Sequence, residues 1–232
     1  MEISQEIEIV DLALWIKKEQ ILIIGDLHLG YEEYMQKKGI FLPKFQIQEI
    51  TKRLQKIIQK TKPQIIIING DLKHEFGKVL SQEWEDVLQL IDFLTKNSKE
   101  IILIKGNHDK ILGPIALKRN IKVLEKYEVD NILIVHGDKT IPTTKKRVVI
   151  GHEHPAIVLK DHGKVEKFKC FLKGKYKQKE LIVMPSFNPL LEGTDILKEK
   201  LLSPYLKDVS KFQVFVVGEE IFNFGTVREL RQ

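Results

Sequence analysis

The sequence predicts an α/β protein in which two packed β-sheets are flanked by helices. Short apolar runs rich in isoleucine and valine recur along the chain, and several are apolar at every position, as in strands that are covered on both faces. Amphipathic helical patterns separate these runs in the first half. From about residue 157 the pattern changes to strands and hairpins. This order favours a sandwich of mixed sheets with helices on the outside.

Eight segments carry the strand pattern. They are IEIV at 7–10, ILII at 21–24, QIIIIN at 64–69, IILI at 101–104, NILIV at 131–135, RVVI at 147–150, LIVM at 181–184 and FQVFVV at 212–217. In the second half, Gly174 and Gly218 predict turns between strands.

Two helices are predicted from apolar residues that recur at helical spacing. The first covers 44–60 and the second covers 82–96, with Ser81 as the N-cap residue of the second helix. Residues 186–210 lack a clear period and predict a long loop with one short helix. A loop of this length is typical of a segment that walls a functional site.

The bulk composition predicts one soluble domain that spans residues 1–232. Hydrophobic residues make up 43% of the chain, which is enough for a sizeable core without disulfides. The single cysteine, Cys170, has no partner in the chain, so a reducing cytoplasmic location is expected. No apolar run approaches the roughly 18 residues of a membrane span, and the acidic N-terminal segment MEISQEIEIV lacks the layout of a signal peptide.

The positive charge of the chain is concentrated in one segment. The formal net charge is +6, and residues 160–180 (Lys160 to Glu180) contain eight lysines against three acidic residues. Such a patch favours a polyanionic partner, and nucleic acid is the hypothesis; a solvated lysine-rich surface is the alternative. A hairpin that turns at LKGKYKQ is expected to bring lysines to the rim of the site, where Tyr176 would stack on a base.

Acidic, amide and imidazole side chains follow the buried strands. They are Asp26 and His28 after ILII, Asp71 and His74 after QIIIIN, Asn107 and His108 after IILI, His136 after NILIV, and His152 and His154 after RVVI. The seventh histidine, His162, is expected to be a surface turn residue. Because ligands bind at the carboxyl ends of strands in such sheets, these side chains should converge.

The convergence of these groups indicates a metal site. Any one of these motifs alone is also typical of a turn, but five motifs at five strand exits favour shared chemistry. Crowded carboxylates and imidazoles are costly without a cation. Nitrogen and oxygen ligands without thiolate suit Mn²⁺, Fe²⁺ or Zn²⁺. Neighbouring glycines would let the loop backbone turn tightly.

The motifs GDLH, GDLKH, GNHD, HG and GHEH resemble the calcineurin-like metallophosphoesterase superfamily, whose fold is an αββα sandwich. They span residues 25–154. The longer segments GDLHLGYEEYMQKKGIFLP, GDLKHEFG, GHEHPAI and PSFNPLLEGTD resemble the ligase-associated branch and its archaeal relatives. This resemblance implies two divalent ions, with Mn²⁺ favoured and Fe²⁺, Zn²⁺ or Ni²⁺ as alternatives.

The resemblance also implies a role for each strand-exit residue. Asp26, His28 and His154 would hold the first ion, Asn107, His136 and His152 the second, and Asp71 would bridge the two ions. Glu153 should face away. His108 is the expected general acid, with Asp109 orienting its ring. His74 is a second candidate, either for proton donation or for phosphate contact.

The expected function is hydrolysis of phosphodiesters by a metal-bridging hydroxide. A DNA nuclease linked to DNA repair is the specific form considered. One alternative is an esterase for nucleotides or cyclic nucleotides. Another is a scaffold that has lost its metals, which predicts missing ligands, whereas all seven ligand positions are filled here. The sequence leaves the oligomeric state and the physiological substrate open.

Overall fold

A computed structural model describes residues 1–75, 81–109, 119, 121–161 and 163–231. His162, the expected surface turn residue, lies outside these ranges. Within them, two sheets pack face to face, which confirms the predicted fold class. None of the helices in these ranges combines the length and the apolar character that a membrane crossing requires.

The first sheet follows the order of the sequence. In the described residues its strands are β1 (Glu2–Ser4), β2 (Ile7–Val10), β3 (Ala13–Ile16), β4 (Ile21–Ile24), β5 (Ile65–Asn69), β6 (Glu100–Ile104) and β7 (Lys122–Leu124). Strands β1 to β4 are antiparallel, whereas β4 to β7 are parallel. The carboxyl ends of β4, β5 and β6 therefore lie along one edge of this sheet.

The second sheet is mixed. In the described residues it contains β8 (Tyr127–Val129), β9 (Ile132–Ile134), β10 (Arg147–Ile150), β11 (Pro155–Asp161), β12 (Lys164–Tyr176), β13 (Lys179–Val183), β14 (Thr194–Asp195), β15 (Gln213–Val217) and β16 (Ile221–Thr226). Its main spatial order is β14-β11-β12-β13-β10-β9-β8, with β15 pairing with β12 and β16. Strands β9, β10 and β13 are parallel.

The helices of the described ranges are α1 (Tyr31–Lys37), α2 (Gln46–Thr61), α3 (Ser81–Asn97) and α4 (Val227–Leu230). The predicted helices at 44–60 and 82–96 correspond to α2 and α3. Both bury an apolar stripe against the outer face of the first sheet; Leu54 of α2 and Leu90 of α3 are fully buried there. Helix α2 ends at Lys62, which has a left-handed backbone and precedes Pro63.

A second apolar layer joins the two sheets. Ile23 and Ile67 of the first sheet pack with Val149, Phe171 and Ile182 of the second. Because alternate side chains of a strand point to opposite faces, neighbouring residues of β12 serve different layers: Phe171 faces the first sheet, while Cys170 and Leu172 face outward.

The outer face of the second sheet is covered differently from expectation. Residues 196–212 and α4 pack there, with Tyr205 and Phe212 buried against the sheet. Residues 186–210 contain β14 and loops, so the short helix predicted in this segment was wrong. Side chains of this loop segment, together with the short helix α4, therefore cover the apolar face of the second sheet.

One of the two turn glycines was placed wrongly. Gly218 lies in the turn between β15 and β16, as predicted. Gly174 lies inside β12, and a Cβ atom at this position would be 2.2 Å from the ring of Phe212. The absence of a side chain there makes room for Phe212, and the turn itself comes later, after Tyr176.

Candidate metal centre

The strand exits of both sheets converge on one site. Asp26, His28, Asp71, His74, Asn107 and His108 come from the loops after β4, β5 and β6, and His136, His152 and His154 come from the loops after β9 and β10. Within this site, three sets of three side chains each place their ligand atoms within 4.8 Å of one another. Two of the sets draw on both sheets: the first group combines Asp26, His28 and His154, and the second group combines Asp71, His136 and His152. The third set, His28, His74 and His108, comes from the first sheet alone.

The first group is compact. The His154 Nε2 atom lies 3.3 Å from Asp26 Oδ1 and 3.4 Å from His28 Nε2. Asp26 is fully buried, and its Oδ1 atom has no hydrogen-bond partner among the described residues. A buried carboxylate oxygen without a donor is costly, so this oxygen fits a cation.

The second group includes the asparagine amide. The His136 Nε2 atom lies 2.9 Å from Asn107 Oδ1, 3.2 Å from His152 Nδ1 and 3.4 Å from Asp71 Oδ2. Four donor side chains therefore point to one small volume. Nitrogen and oxygen donors of this kind suit divalent transition metals.

Asp71 lies between the two groups. Its Oδ2 atom is 3.7 Å from His28 Nε2 of the first group and 3.4 Å from His136 Nε2 of the second. Its Oδ1 atom accepts a hydrogen bond of 2.9 Å from the backbone N–H of His108. One oxygen is thus anchored to the protein, while the other faces an imidazole of each group.

The protonation equilibria of the site fit a cation. Burial and the neighbouring His154 lower the pKa of His28 well below 6.5, so its ring is neutral at pH 7 and has a free lone pair. Burial lowers the pKa of His136, but the hydrogen bond to Asp71 and the charge of Asp26 outweigh this effect and raise the pKa to about 9. Burial raises the pKa of Asp71, yet the His136 hydrogen bond and nearby imidazoles hold it well below its usual range.

Two glycines allow the carboxylates to approach the backbone. A Cβ atom at Gly106 would lie 2.1 Å from Asp71 Oδ1, and one at Gly151 would lie 2.4 Å from Asp26 Oδ2. Any side chain at these positions would displace a carboxylate. This explains why GNHD and GHEH both begin with glycine.

Five of the strand-exit residues have a left-handed backbone. The φ angles are 53° at Asp26, 44° at His28, 43° at Asp71, 64° at His152 and 50° at His154. This region costs an L-residue with a Cβ atom about 1 kcal/mol, and such strain is concentrated at functional sites. The loops thus hold side chains in place at the expense of local stability.

The left-handed backbone at His152 leads to a stability prediction. In metal-free protein, His152→Gly should unfold with a free energy about 1 kcal/mol higher than His152→Ala, because both variants delete the ring but only alanine keeps the strained Cβ. Urea denaturation measures the difference. At His108, whose φ is not positive, the alanine variant should be the more stable one; the same sign at both positions would contradict the strain.

His74 and His108 form a further group beside the first. The Nδ1 atom of His74 is 3.4 Å from that of His28, and the rings of His74 and His108 stack at 5.5 Å. His108 Nδ1 contacts the carbonyl oxygen of His74, and His108 Nε2 lies 3.9 Å from Asp71 Oδ2. Burial and His108 lower the pKa of His74 to about 4, so His74 is neutral at pH 7.

Asp109 has a different position from the expected one. Its carboxylate accepts hydrogen bonds from the backbone N–H groups of Leu72, Lys73 and Gly106. Burial and the charge of Asp71 raise its pKa to about 6. Asp109 ties together the loops after β5 and β6, and the carbonyl of His74, instead of Asp109, contacts the ring of His108.

Sequence reasoning missed several supporting residues because charged side chains usually face solvent. Glu83 is fully buried, and its Oε1 atom accepts hydrogen bonds from the N–H groups of His74 and Glu75. Glu153 does face away from the two groups, as expected, since its carboxylate accepts from Leu202 and Ser203. A signal for Glu83 is its place in the first turn of α3, where an acidic side chain is favourable.

The loop after β13 supports the first group from behind. The Ser186 hydroxyl donates to the carbonyl of Asp26 at 2.6 Å, and the Asn188 amide contacts that of His28 at 3.4 Å. Asn188 is thus part of the wall behind this group. The Lys169 ammonium donates hydrogen bonds to the carbonyl oxygens of Ser186 and Asn188 and thereby fixes this loop to β12.

Lys169 leads to a prediction on pH. Burial and the charge of Arg53 lower its pKa from 10.5 to about 7. Between these values the unfolded chain binds more protons than the native one, so this residue's contribution to stability rises with pH. The unfolding free energy of wild type minus that of Lys169→Met should increase by about 1 kcal/mol per pH unit from pH 7 to 10. Lys167→Met, on the same strand, serves as control; a flat Lys169 curve would contradict the burial of this ammonium.

The lysine-rich segment extends in two directions. Tyr176 pairs with Lys179 at the amino end of β13, so the turn at LKGKYKQ lies away from the strand exits, and Tyr176 packs on Tyr205 instead of facing the site. Strands β11 and β12 form a second hairpin, which starts directly after His154. Because β11 continues in the direction of β10 and β13, this hairpin projects past the edge that carries the site, with Lys160 and Lys164 exposed on it.

Comparison with known proteins decides the family. A sequence model of the calcineurin-like phosphoesterases matches residues 20–218. The chain belongs to this family. Membership and the two carboxylate–imidazole groups together support a metal-dependent phosphoesterase. A search of curated proteins finds no match.

A nuclease MPE from Pseudomonas putida shares the fold of this phosphoesterase; it is 20% identical, with 92% of each chain covered and a TM-score of 0.68. The comparison also finds Yfce, a phosphoesterase from E. coli, which is 12% identical, with 89% of this chain and 98% of that chain covered and a TM-score of 0.47. The likeness to the nuclease MPE concerns the fold alone, so ligands and substrate have to be argued from the site itself.

Proposed function

We propose that this phosphoesterase hydrolyses phosphodiester bonds of nucleic acid at a centre of two divalent ions. The observation that carries the proposal is the position of Asp71 Oδ2, which faces one imidazole of each donor group. A pair of divalent cations, when bound, activates water and neutralises charge on the phosphoryl oxygens. Phosphate diesters are stable in water, so both effects are needed for their hydrolysis.

The proposed ligand set follows the two donor groups. Asp26, His28 and His154 would hold the first ion, Asn107, His136 and His152 the second, and Asp71 would bridge them. The donors are nitrogen and oxygen, and the only thiol of the chain, Cys170, is buried in the outer layer. Among the divalent metals that such donors bind, the family resemblance favours Mn²⁺. Fe²⁺, Zn²⁺ and Ni²⁺ are the alternatives, which elemental analysis of the purified protein would distinguish.

The protein's own groups supply proton transfer and orientation. Water adds to phosphorus, the bond between phosphorus and the leaving oxygen breaks, and His108 Nε2 gives that oxygen its proton. His108 suits this role because its Nε2 atom faces the Asp71 carboxylate, while its Nδ1 atom is held by the His74 carbonyl. His74 is assigned to contact with the phosphate, because its ring stacks on that of His108 and its Nδ1 atom lies beside His28 of the first group. The proton lost from the attacking water returns to His108 through solvent.

The projecting hairpin supports a nucleic-acid substrate. Lys160 and Lys164 are exposed on the side of the molecule where the strand exits lie, so they can pair with phosphates of a strand that crosses the centre. The similarity to a protein described as a nuclease points in the same direction. A cytoplasmic location and a role in DNA repair are part of this proposal.

The test is a substrate panel with two matched double variants. Metal-loaded wild type should cleave DNA as well as bis-p-nitrophenyl phosphate. Lys160→Gln with Lys164→Gln should lower DNA cleavage and its salt dependence but leave the small diester unaffected. Lys175→Gln with Lys177→Gln, at the opposite end of β12, should change neither activity.

Two other outcomes define the competing functions. Turnover of nucleotides or cyclic nucleotides without DNA cleavage would establish a small-molecule esterase. A protein that holds no metal and cleaves nothing would be a scaffold, and the proposal would be wrong.

A further inference from the structure

An aromatic surface adjoins the candidate centre on the side of the first sheet. The ring of His74 lies 4.5 Å from the ring of Tyr34 and 4.9 Å from that of Tyr31, measured between ring centroids. Both tyrosines are on α1, the short helix that follows the loop of His28. The three rings therefore continue from the proposed phosphate contact toward the surface.

This aromatic surface is accessible. Tyr31 and Tyr34 are only half-buried, and the ammonium of Lys38 lies over the Tyr34 ring at 4.4 Å. Lys38 is an exposed residue at the end of α1, so a planar ligand can displace its side chain from the ring. Two residues further on, Ile40 and Phe41 are 48% and 79% exposed, so this end of α1 presents apolar surface to solvent.

We infer that the tyrosine pair Tyr31 and Tyr34 binds the nucleobase next to the scissile phosphate. This inference rests on the proposed function. A nucleobase is planar and stacks on aromatic rings whatever its sequence, and a displaced Lys38 ammonium would be close to the neighbouring phosphate. In a nucleotide strand one sugar separates each base from its phosphate. Here the ring of His74 lies between the tyrosines and the candidate centre, so a base on the tyrosines and its phosphate at the centre can belong to one nucleotide.

The alternative is that the two tyrosines bind no ligand and have a structural role. In that case Tyr31 and Tyr34 would only pack against His74 and keep its imidazole in place. The two roles differ in substrate dependence: packing affects every phosphodiester equally, whereas stacking affects only substrates that carry a base.

Two synthetic diesters with the same leaving group separate these roles. They are the p-nitrophenyl ester of thymidine 5′-monophosphate, which carries a base, and methyl p-nitrophenyl phosphate, which carries none. Wild type should prefer the thymidine ester in kcat/KM, and Tyr34→Ala should reduce that preference about tenfold, as expected for the loss of one base–aromatic contact. The decrease in kcat/KM should be about tenfold larger for the thymidine ester than for the methyl ester.

Two further variants serve as controls. Tyr34→Phe keeps the ring and should keep the preference. Phe222→Ala removes a half-exposed ring of β16 and should change neither substrate. An equal decrease for both diesters in Tyr34→Ala, or no change in their ratio, would overturn the inference. If wild type cleaves neither diester, the proposed function fails instead.

Discussion

Asp71→Asn should lower metal content from two ions to one or fewer per chain and reduce turnover at least about a thousandfold. The substitution keeps the shape of the side chain but removes the charge of the oxygen that faces both donor groups. A thousandfold loss corresponds to about 4 kcal/mol of transition-state stabilisation, which is the scale of a metal's contribution. In metal-free protein, His136 should also lose its raised pKa, because the hydrogen bond to Asp71 is the main contact that raises it.

Elemental analysis and kinetics on the same sample measure this result. Asp86→Asn is the matched control, since Asp86 is a comparably buried carboxylate on α3 that contacts Gln82 and not the donor groups. Two bound ions in the Asp71 variant would show that this carboxylate does not bridge them.

His108→Ala should keep both ions and lose turnover in a way that depends on the leaving group. A general acid contributes about a hundredfold to ten-thousandfold when the leaving oxygen is an alkoxide, as in DNA. The effect should be small for p-nitrophenolate, a good leaving group that departs without a proton. This contrast follows from the position of His108 Nε2 at the centre, with Nδ1 held by the His74 carbonyl.

His74→Ala is the informative comparison for this experiment. His74 is neutral at pH 7 and is not the proposed proton donor. The His74→Ala substitution should therefore lower turnover to a similar degree for substrates with good and with poor leaving groups. If His74→Ala shows the leaving-group dependence and His108→Ala does not, the two assignments have to be exchanged.

The sequence predicted the strand-exit residues because their position follows from a local rule. Buried parallel strands such as β4 and β5 end at one edge of a sheet, and polar residues that follow them have to meet there. The convergence of Asp26, His28 and Asp71 can therefore be predicted without knowledge of long-range contacts. The packing of two sheets was predicted separately, from the order of strand and helix patterns along the chain.

The supporting residues could not be predicted because their roles depend on contacts between distant segments. Lys169 lies in a strand of alternating lysines and is expected to face solvent, yet its ammonium is fixed by a loop 17 to 19 residues later. Glu83 lies in the first turn of an amphipathic helix, yet it is fully buried beneath the His74 loop. Local periodicity does not distinguish a charged residue in water from one that holds a loop.

The position of the turn after β12 was predicted wrongly for a similar reason. Gly174 suggested a turn, but the strand continues because Phe212, from a remote loop, fills the space above it. As a result the lysines separate into two sets at opposite ends of the second sheet. Only register, which depends on long-range packing, determines which lysines face the strand exits.

The division of donor atoms between the two sheets has a consequence for truncated chains. A fragment that ends after β7 would retain Asp26, His28, Asp71 and Asn107 but none of the donors that follow β9 and β10. Neither half of the chain can therefore be deleted without removing donors from both groups at once. A truncated chain that keeps one sheet would keep no complete donor group.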